Sequence, residues 1–202
     1  MSRIAIFGTG GMGRELADVI EASGNADFVY VVDTPEGPVN GAQVLSPDEL
    51  RDDDHLVVAL GSSSDRRAVV ERFTGKQFAT VISSSARVSR FAALGEGSAV
   101  CDFAVINSGA VIGRHFQANV FAQLSHDCLV GDFVTFAPHV SCNGWVEIGD
   151  EAYVGAGAVI RNGSPSRRLK IGAGAVIGMG AIVTGDVAPG AVVVGNPAGA
   201  IR

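Results

Sequence analysis

The side chains suited to moving a proton near neutral pH are four histidines, His55, His115, His126 and His139. His55 opens the apolar run His-Leu-Val-Val-Ala-Leu and reads as part of a buried strand. His126 is followed by Asp127. An imidazole that takes a proton from an attacking amine or hydroxyl then has a carboxylate beside it to hold its tautomer. The plainer alternative is a histidine solvated at a surface corner, and the pair alone leaves both open. A second chemical signal lies near the start of the chain. Gly8, Gly10 and Gly13 have the G-x-G-x-x-G spacing, with Gly11 between them, and Asp33 follows twenty residues after Gly13. Glycines let the backbone approach a phosphate, a helix N-terminus donates N–H groups, and an acid at that distance takes ribose hydroxyls. The alternative here is an ordinary tight turn from strand to helix. Cys101, Cys128 and Cys142 are odd in number and lack metal-ligand spacing, so they read as reduced thiols of a cytoplasmic protein that holds no metal.

The elements that must position His126 are repeats. From Val88 an apolar residue returns every six positions, through Leu94, Val100, Ile106, Ile112, Ala118, Leu124, Val130, Phe136, Cys142, Ile148 and Val154 to Ile160. Four residues after most of these comes a small or β-branched residue, as at Ala104, Ala110, Ala122, Cys128, Val134, Val140 and Ala158. A helix cannot generate a strict period of six. Short flat strands joined by corners can, with aliphatic side chains stacked inside and Gly, Asp and Asn outside. His115 and His139 fall at corner positions, and so does His126. After Ile160 the next repeat starts at Ile171, a step of eleven, so about five extra residues lie within Arg-Asn-Gly-Ser-Pro-Ser-Arg-Arg-Leu-Lys. They must leave the stack as a loop, because the core accepts no extra residues. The tail from Val187 reads as a cap.

The first eighty or so residues alternate strand and helix. Strands are expected at Arg3–Phe7, Phe28–Val32, His55–Leu60 and Phe78–Ile82, with a helix through Leu16, Ala17, Val19 and Ile20. That length is short for a full dinucleotide domain, which favours a mononucleotide over NAD. A net charge of -6 argues against a nucleic-acid surface. Every apolar run is interrupted too early to span a bilayer. The opening residues lack the features of a signal peptide. The mean hydropathy of +0.31 suggests apolar surface buried between subunits.

The hexapeptide pattern over residues 88–195 resembles that of the left-handed β-helix acyltransferases. With the glycine-rich unit in front of it, nearly the whole chain is similar to the sugar acetyltransferases of the sialic-acid O-acetyltransferase type. One branch of that family N-acetylates UDP-linked 4-amino-4,6-dideoxysugars. The resemblance implies an α/β half-Rossmann unit over residues 1–84, followed by a left-handed parallel β-helix over 85–202 in triangular coils of eighteen residues. It implies acetyl-CoA as co-substrate, a nucleotide sugar as acceptor, and a homotrimer with active sites between subunits. Acetyl transfer from a thioester needs a base, an oxyanion donor and a CoA site, and no covalent nucleophile.

The family motif around the catalytic histidine is matched by His126-Asp127-Cys128-Leu129-Val130-Gly131-Asp132-Phe133. This implies His126 as general base and Asp127 as its orienting partner. Coils of eighteen would stack Ser108, His126, Gly144 and Asn162 in one column, with Gly144 roughly 4.8 Å from the backbone of the base. The family uses a glycine there as oxyanion donor, with an exposed N–H facing the thioester. The resemblance places the nucleotide at Gly8, Gly10, Gly11, Gly13 and Asp33, and at Gly61, Ser62, Ser63 and Arg66 after the third strand. It places Asn119 near the acetyl group. Thr135 stands near the CoA thiol where the branch often has a second histidine, for which His139 is a substitute. Met12 and Thr34 also depart from the branch, which often has a histidine and a second acid there. For CoA, the basic loop of Arg167, Arg168 and Lys170 suits the phosphates, although a solvated loop is equally in keeping with its composition. Gly155, Ala156 and Gly157, with Gly172, Gly174 and Gly178, would form a narrow slot for the pantetheine arm. Two other activities fit the same residues: O-acetylation of a sugar such as sialic acid or a polysaccharide precursor, and a non-catalytic trimeric binding or scaffold role.

Overall fold

In the computed structural model, residues 3–24 and 27–201 are described; Met1 and Ser2, part of the start read for a leader, lie outside them. The N-terminal unit runs β1 (Ile4–Phe7), α1 (Gly11–Ala22), β2 (Phe28–Val31), β3 (Val44–Leu45), β4 (His55–Val58), α2 (Ser63–Arg72) and β5 (Gln77–Phe78). The strands form one parallel sheet in the order β3-β2-β1-β4-β5. Both faces of such a sheet must be covered, which is why its strands are apolar on both sides. One face, with Ile6, Tyr30 and Val57, packs on Leu16, Ala17, Val19 and Ile20 of α1. The other, with Ala5, Val29, Leu56 and Val58, packs on Val69, Val70 and Phe73. The strand order reverses between β1 and β4, and a crevice at the carboxyl ends of the strands forms at such a point. Strand β3 was not anticipated, since two residues are too few to show a period.

The strand expected over Phe78–Ile82 is divided. Its first part is β5, and its last residues form β6 (Val81–Ile82), which pairs in parallel with Ala99–Val100 and opens the second unit. The expected division after residue 84 therefore falls inside the first coil. From β6 onward the chain builds three sheets, parallel throughout except for the last strand, Gly199–Ala200, which pairs antiparallel with Val192–Val194. Their register is eighteen residues, as in Gln117↔Thr135, Gln123↔Ser141 and Val111↔Leu129. The result is a parallel β-helix of triangular section. The repeat aliphatics from Val100 to Val183 point inward and are at most 6% exposed, while Val88 and Leu94 near the open end are only partly covered. Phe116 and Val146 fill two further inward positions. The register lengthens by five residues at Val146↔Leu169, where the inserted loop leaves the stack, and shortens by two in the last coil, at Val176↔Val192.

The corners follow one rule. At most corners the third residue after the inward aliphatic takes a left-handed conformation, as at Phe103, His115, Phe121, Asp127, Phe133, His139, Trp145 and Glu151, with φ from 55° to 61°. Such a conformation costs a non-glycine residue roughly 1 kcal/mol. Stacking along the edges offsets it: Phe103 on Phe121 at 5.0 Å, Phe121 on His139 at 4.9 Å, and His115 on Phe133 at 4.9 Å.

One sheet of the prism docks on the N-terminal unit. Val81, Ala99 and Cys101 join the cluster under α1, and burial pushes the Cys101 thiol up to about 12. The centre of the seam is Arg66, which is fully buried. Its guanidinium donates to the carbonyls of Leu60 (2.7 Å), His115 (3.1 Å) and Phe133 (2.7 Å), to Gln117 Oε1 (3.2 Å) and to Thr135 Oγ1 (3.0 Å). These acceptors come from both units, so one side chain bolts them together. No carboxylate is among them, and burial lowers the guanidinium to about 10, which leaves it charged at neutral pH.

Candidate active site

His126 sits on the corner between strands Gln123–Leu124 and Leu129–Val130. Hydrogen bonds between successive coils align its column: Asp127 N–H to Ser108 O at 3.1 Å, Trp145 N–H to His126 O at 3.2 Å, and Gly163 N–H to Gly144 O at 3.0 Å. The stack of Ser108, His126, Gly144 and Asn162 expected from an eighteen-residue coil is thus formed. His126 Nδ1 lies 2.8 Å from Asp127 Oδ2. Adjacent residues of an extended strand point to opposite sides, but Asp127 is the left-handed corner residue, with φ 58°, and turns its carboxylate back to the ring. A carboxylate only accepts, so in the neutral ring Nδ1 carries the proton and Nε2 keeps its lone pair. Both side chains reach solvent, His126 at 55% and Asp127 at 39% exposure.

Two glycines hold this pair. A Cβ on Gly144 would lie 2.6 Å from His126 Cε1, and one on Gly109 would lie 2.5 Å from Asp127 Oδ1. Gly109 was not singled out from the sequence, although it lies eighteen residues before Asp127. Gly144, expected to present its N–H to the thioester, is buried as a residue, with the imidazole lying over the Cα side where a side chain would stand. Its small size is required by the ring. Its N–H has no backbone acceptor among the described residues. The ring of Trp145 stands edge-on to His126 at 6.3 Å.

The glycine-rich turn lies at the carboxyl end of β1, Asp33 just past β2, and Gly61, Ser62 and Ser63 past β4, all around the crevice. The four glycines of the turn divide by role. Gly13 is fixed by packing, because a Cβ there would lie 2.0 Å from Gly8 O, and Gly8 itself has φ 111°. Gly10 and Gly11 have nothing within 4 Å of a Cβ position and leave the backbone open to a ligand. The N-cap Gly10 offers no side chain to the first turn of α1, which therefore points uncapped N–H groups at the crevice. Ser62 caps α2 by accepting from Asp65 N–H at 3.3 Å. Asp33 is not alone: Arg72, at the end of α2, pairs with it and holds its carboxyl below the usual range. The sequence reading missed Arg72, since the two residues are 39 apart.

Several expected site residues lie elsewhere. Arg66 and Thr135, assigned to substrate and cofactor, are buried in the seam between units. Their polar atoms are used there, and Thr135 Oγ1 also lies 3.4 Å from Gly61 O and 3.5 Å from Ser63 Oγ. The glycine slot does not form on one edge. Gly155, Ala156, Gly157 and Gly178 share the edge that also carries Asn119, whereas Gly172 and Gly174 lie on a second edge and His126 on the third. Gly155 is closely covered, since a Cβ there would meet Met179 N at 2.7 Å. Asn119 Oδ1 is buried without a hydrogen-bond partner among the described residues. The basic loop borders a cleft of about 540 Å³ with Arg161, Asn162, Thr184 and Asp186. Arg167 and Arg168 both line it; Arg167 lies 3.6 Å from Asp186, Arg168 also donates to the main-chain carbonyl of Asp127, and Lys170 lies on a strand outside the cleft. His139 stacks on Phe121, on the edge of Asn119 rather than that of His126. Among the described residues no group of three or more His, Cys, Asp or Glu is placed to hold a metal ion, and no helix is long and apolar enough to cross a membrane.

Fold and site together define a class: a hexapeptide-repeat acyltransferase carrying a Rossmann-like unit. Comparison with known proteins agrees. The domain family described as PglD N-terminal domain matches residues 3–73. The chain is 40% identical to GDP-perosamine N-acetyltransferase of Escherichia coli O157:H7, over 98% of this chain and 96% of that protein. Among solved structures it is similar to WeeI from Acinetobacter baumannii AYE, with a TM-score of 0.95 and 36% identity over all of both chains. It is also similar to the acetyltransferase domain of PglB from Neisseria gonorrhoeae FA1090 in complex with acetyl coenzyme A, with a TM-score of 0.92 and 31% identity over 99% of each chain. The chain belongs to this family of hexapeptide-repeat sugar acetyltransferases.

Proposed function

We propose that this protein transfers the acetyl group of acetyl-CoA to the amine of a nucleotide-linked amino sugar, with His126 as general base. The observation that supports this most is the His126–Asp127 pair, 2.8 Å apart and open to solvent on one edge of the β-helix. In this reading Nε2 takes the proton as the sugar amine attacks the thioester carbonyl. Asp127 holds the tautomer and stabilises the imidazolium. The oxyanion is assigned to the Gly144 N–H. On collapse the C–S bond breaks, and the proton passes from His126 to the departing thiolate, giving the amide and free CoA. The nucleotide is assigned to the crevice at the carboxyl ends of β1 and β4, with its phosphates at Gly10, Gly11 and the start of α1. Asp33, held by Arg72, is assigned to the ribose or base.

For the sugar, the resemblance favours a UDP-linked 4-amino-4,6-dideoxy compound. The relative that acts on GDP-perosamine makes a GDP-linked amino sugar an equal candidate. We also assign the protein to a homotrimer. His126 stands on one edge of the prism, and Asn119 with Gly155 and Ala156 on another, so an acetyl group touching both needs a second copy of the chain. The test is CoA release with acetyl-CoA against UDP-, dTDP- and GDP-linked amino sugars and free sialic acid. A nucleotide amino sugar should be turned over, and His126→Ala should lose nearly all turnover while keeping its melting temperature. Full activity in that variant rules out the base.

A further inference from the structure

We infer that Arg168 is a positioning residue for the His126–Asp127 pair, delivered to it by the loop inserted between coils. The inference rests on the reading of His126 as base. The loop leaves the stack after Ile160 and closes on itself through Ser164 and Arg167, whose N–H and C=O groups exchange hydrogen bonds at 2.8 and 3.1 Å. It is pressed against the catalytic corner on both sides. A Cβ on Gly163 would lie 2.3 Å from Trp145 O, and Leu169 N–H donates to that same carbonyl at 3.1 Å. The two arginines of the turn both border the cleft but meet different partners. The Arg167 side chain is 83% exposed and looks into the cleft. Arg168 is half-buried and looks back across the coil below.

There the guanidinium does two things at once. Its Nη1 donates to the main-chain carbonyl of Asp127, 41 residues away. Its Cζ lies 5.1 Å over the ring of Trp145, the ring that stands edge-on to His126. Arg168 thus holds the peptide of the orienting acid and the aromatic wall behind the base. Asp127 sits in a left-handed conformation, which Asp tolerates better than most residues but still at a cost, and in that conformation its carboxylate reaches Nδ1. A charge-assisted bond to its carbonyl steadies the conformation from two coils away. Arg168 directly precedes Leu169, the register partner of Val146, just as Trp145 precedes Val146, so the guanidinium rises from the same edge one coil beyond Trp145.

The competing role is the one the sequence suggested, a ligand for the phosphates of CoA, and the two predict different kinetics. Arg168→Ala, Arg168→Lys and Trp145→Leu are to be compared with the unmodified protein, using acetyl-CoA and acetyl-pantetheine, which lacks the nucleotide phosphates. A displaced base–acid pair should lower kcat by about tenfold or more with both donors. KM for acetyl-CoA should change by less than about threefold. Arg168→Lys should recover part of the loss, and millimolar guanidinium ion should restore part of the activity of Arg168→Ala. Trp145→Leu gives the same signature with the arginine intact, so one poorly folding variant does not decide the matter. A raised KM for acetyl-CoA with unchanged kcat, and no effect with acetyl-pantetheine, overturns the inference. His126→Ala is measured alongside. If it is inactive while Arg168→Ala is normal, the positioning role alone falls. If it remains fully active, the base assignment falls and takes the positioning role with it.

Discussion

His126 and Asp127 meet because of their backbone. Left-handed φ at Asp127 closes a 2.8 Å contact between consecutive residues, and glycines at 109 and 144 leave space on either side. Gly144→Ala is therefore expected to act on the ring rather than on the fold. The added methyl meets the far end of a side chain that can rotate into solvent, so the melting temperature should change little. The displaced imidazole should lower kcat by about a hundredfold. Comparing thermal melts with turnover checks this, and a variant that melts early without losing kcat would contradict it. His115 is the opposite kind of histidine. It is buried between Phe78 and Phe133, and burial lowers its pKa to about 4. The unfolded chain binds a proton near pH 6.5 that the folded chain refuses. The stability from keeping His115 neutral is complete above about pH 6.5 and is lost as pH falls toward 4. It is worth at most roughly 3.5 kcal/mol, at 1.4 kcal/mol per pH unit. Urea midpoints for His115→Phe, which keeps the stack, should fall less between pH 7.5 and 4.5 than those of the unmodified protein.

At the scale of elements, the β-helix is a device for bringing side chains into columns. Its core is one aliphatic residue and one small or β-branched residue per hexapeptide, and its outer edges carry the chemistry. The same regularity makes the single insertion conspicuous. In the N-terminal unit the decisive joint is the turn from β1 to α1. Gly13→Ala would drive a methyl to 2.0 Å from Gly8 O, a backbone atom that cannot rotate away. α1 must then lift off the sheet, along with the cluster of Leu16, Val19 and Ile20 that it shares with the seam. We expect a loss of about 1–3 kcal/mol, read as a lower denaturation midpoint. Nucleotide-sugar affinity should weaken as well, because the helix N-terminus moves. Gly11→Ala, which meets nothing within 4 Å, serves as the control with unchanged stability.

For the whole molecule, the seam and the edges matter most. Arg66 satisfies its guanidinium with acceptors from both units, so the nucleotide crevice is held at a set position over the β-helix. The residues assigned to acetyl transfer are split between two edges of one chain, and this leads to a prediction that stability measurements cannot mimic. His126→Ala and Asn119→Leu, each poorly active alone, should regain activity when unfolded together and reassembled. A mixed oligomer then contains sites with His126 from one chain and an intact Asn119 edge from its neighbour. Mixtures no more active than their components would place the whole site within a single chain.

The amino-acid sequence by itself determined the β-helix, the position of its one insertion, the glycine-rich crevice and the column through His126 and Gly144. All of these are written as local spacing: a period of six needs only near neighbours to reveal it, and a column of eighteen is three of those periods. The tertiary structure alone decided what the arginines do. Arg66 was read as a substrate ligand and is a buried bolt, because its acceptors His115, Phe133 and Thr135 lie 49 to 69 residues away. Arg72 was overlooked and holds Asp33, while Arg168 was read as a phosphate ligand and reaches back to Asp127. The glycines expected in one slot lie on two edges, as the repeat spacing itself implies, because Ile171 starts the second hexapeptide after that of Val154 and only the third returns to the same edge. A long cationic side chain finds its acceptors wherever packing brings them within about 3 Å, and no periodicity in the chain records that.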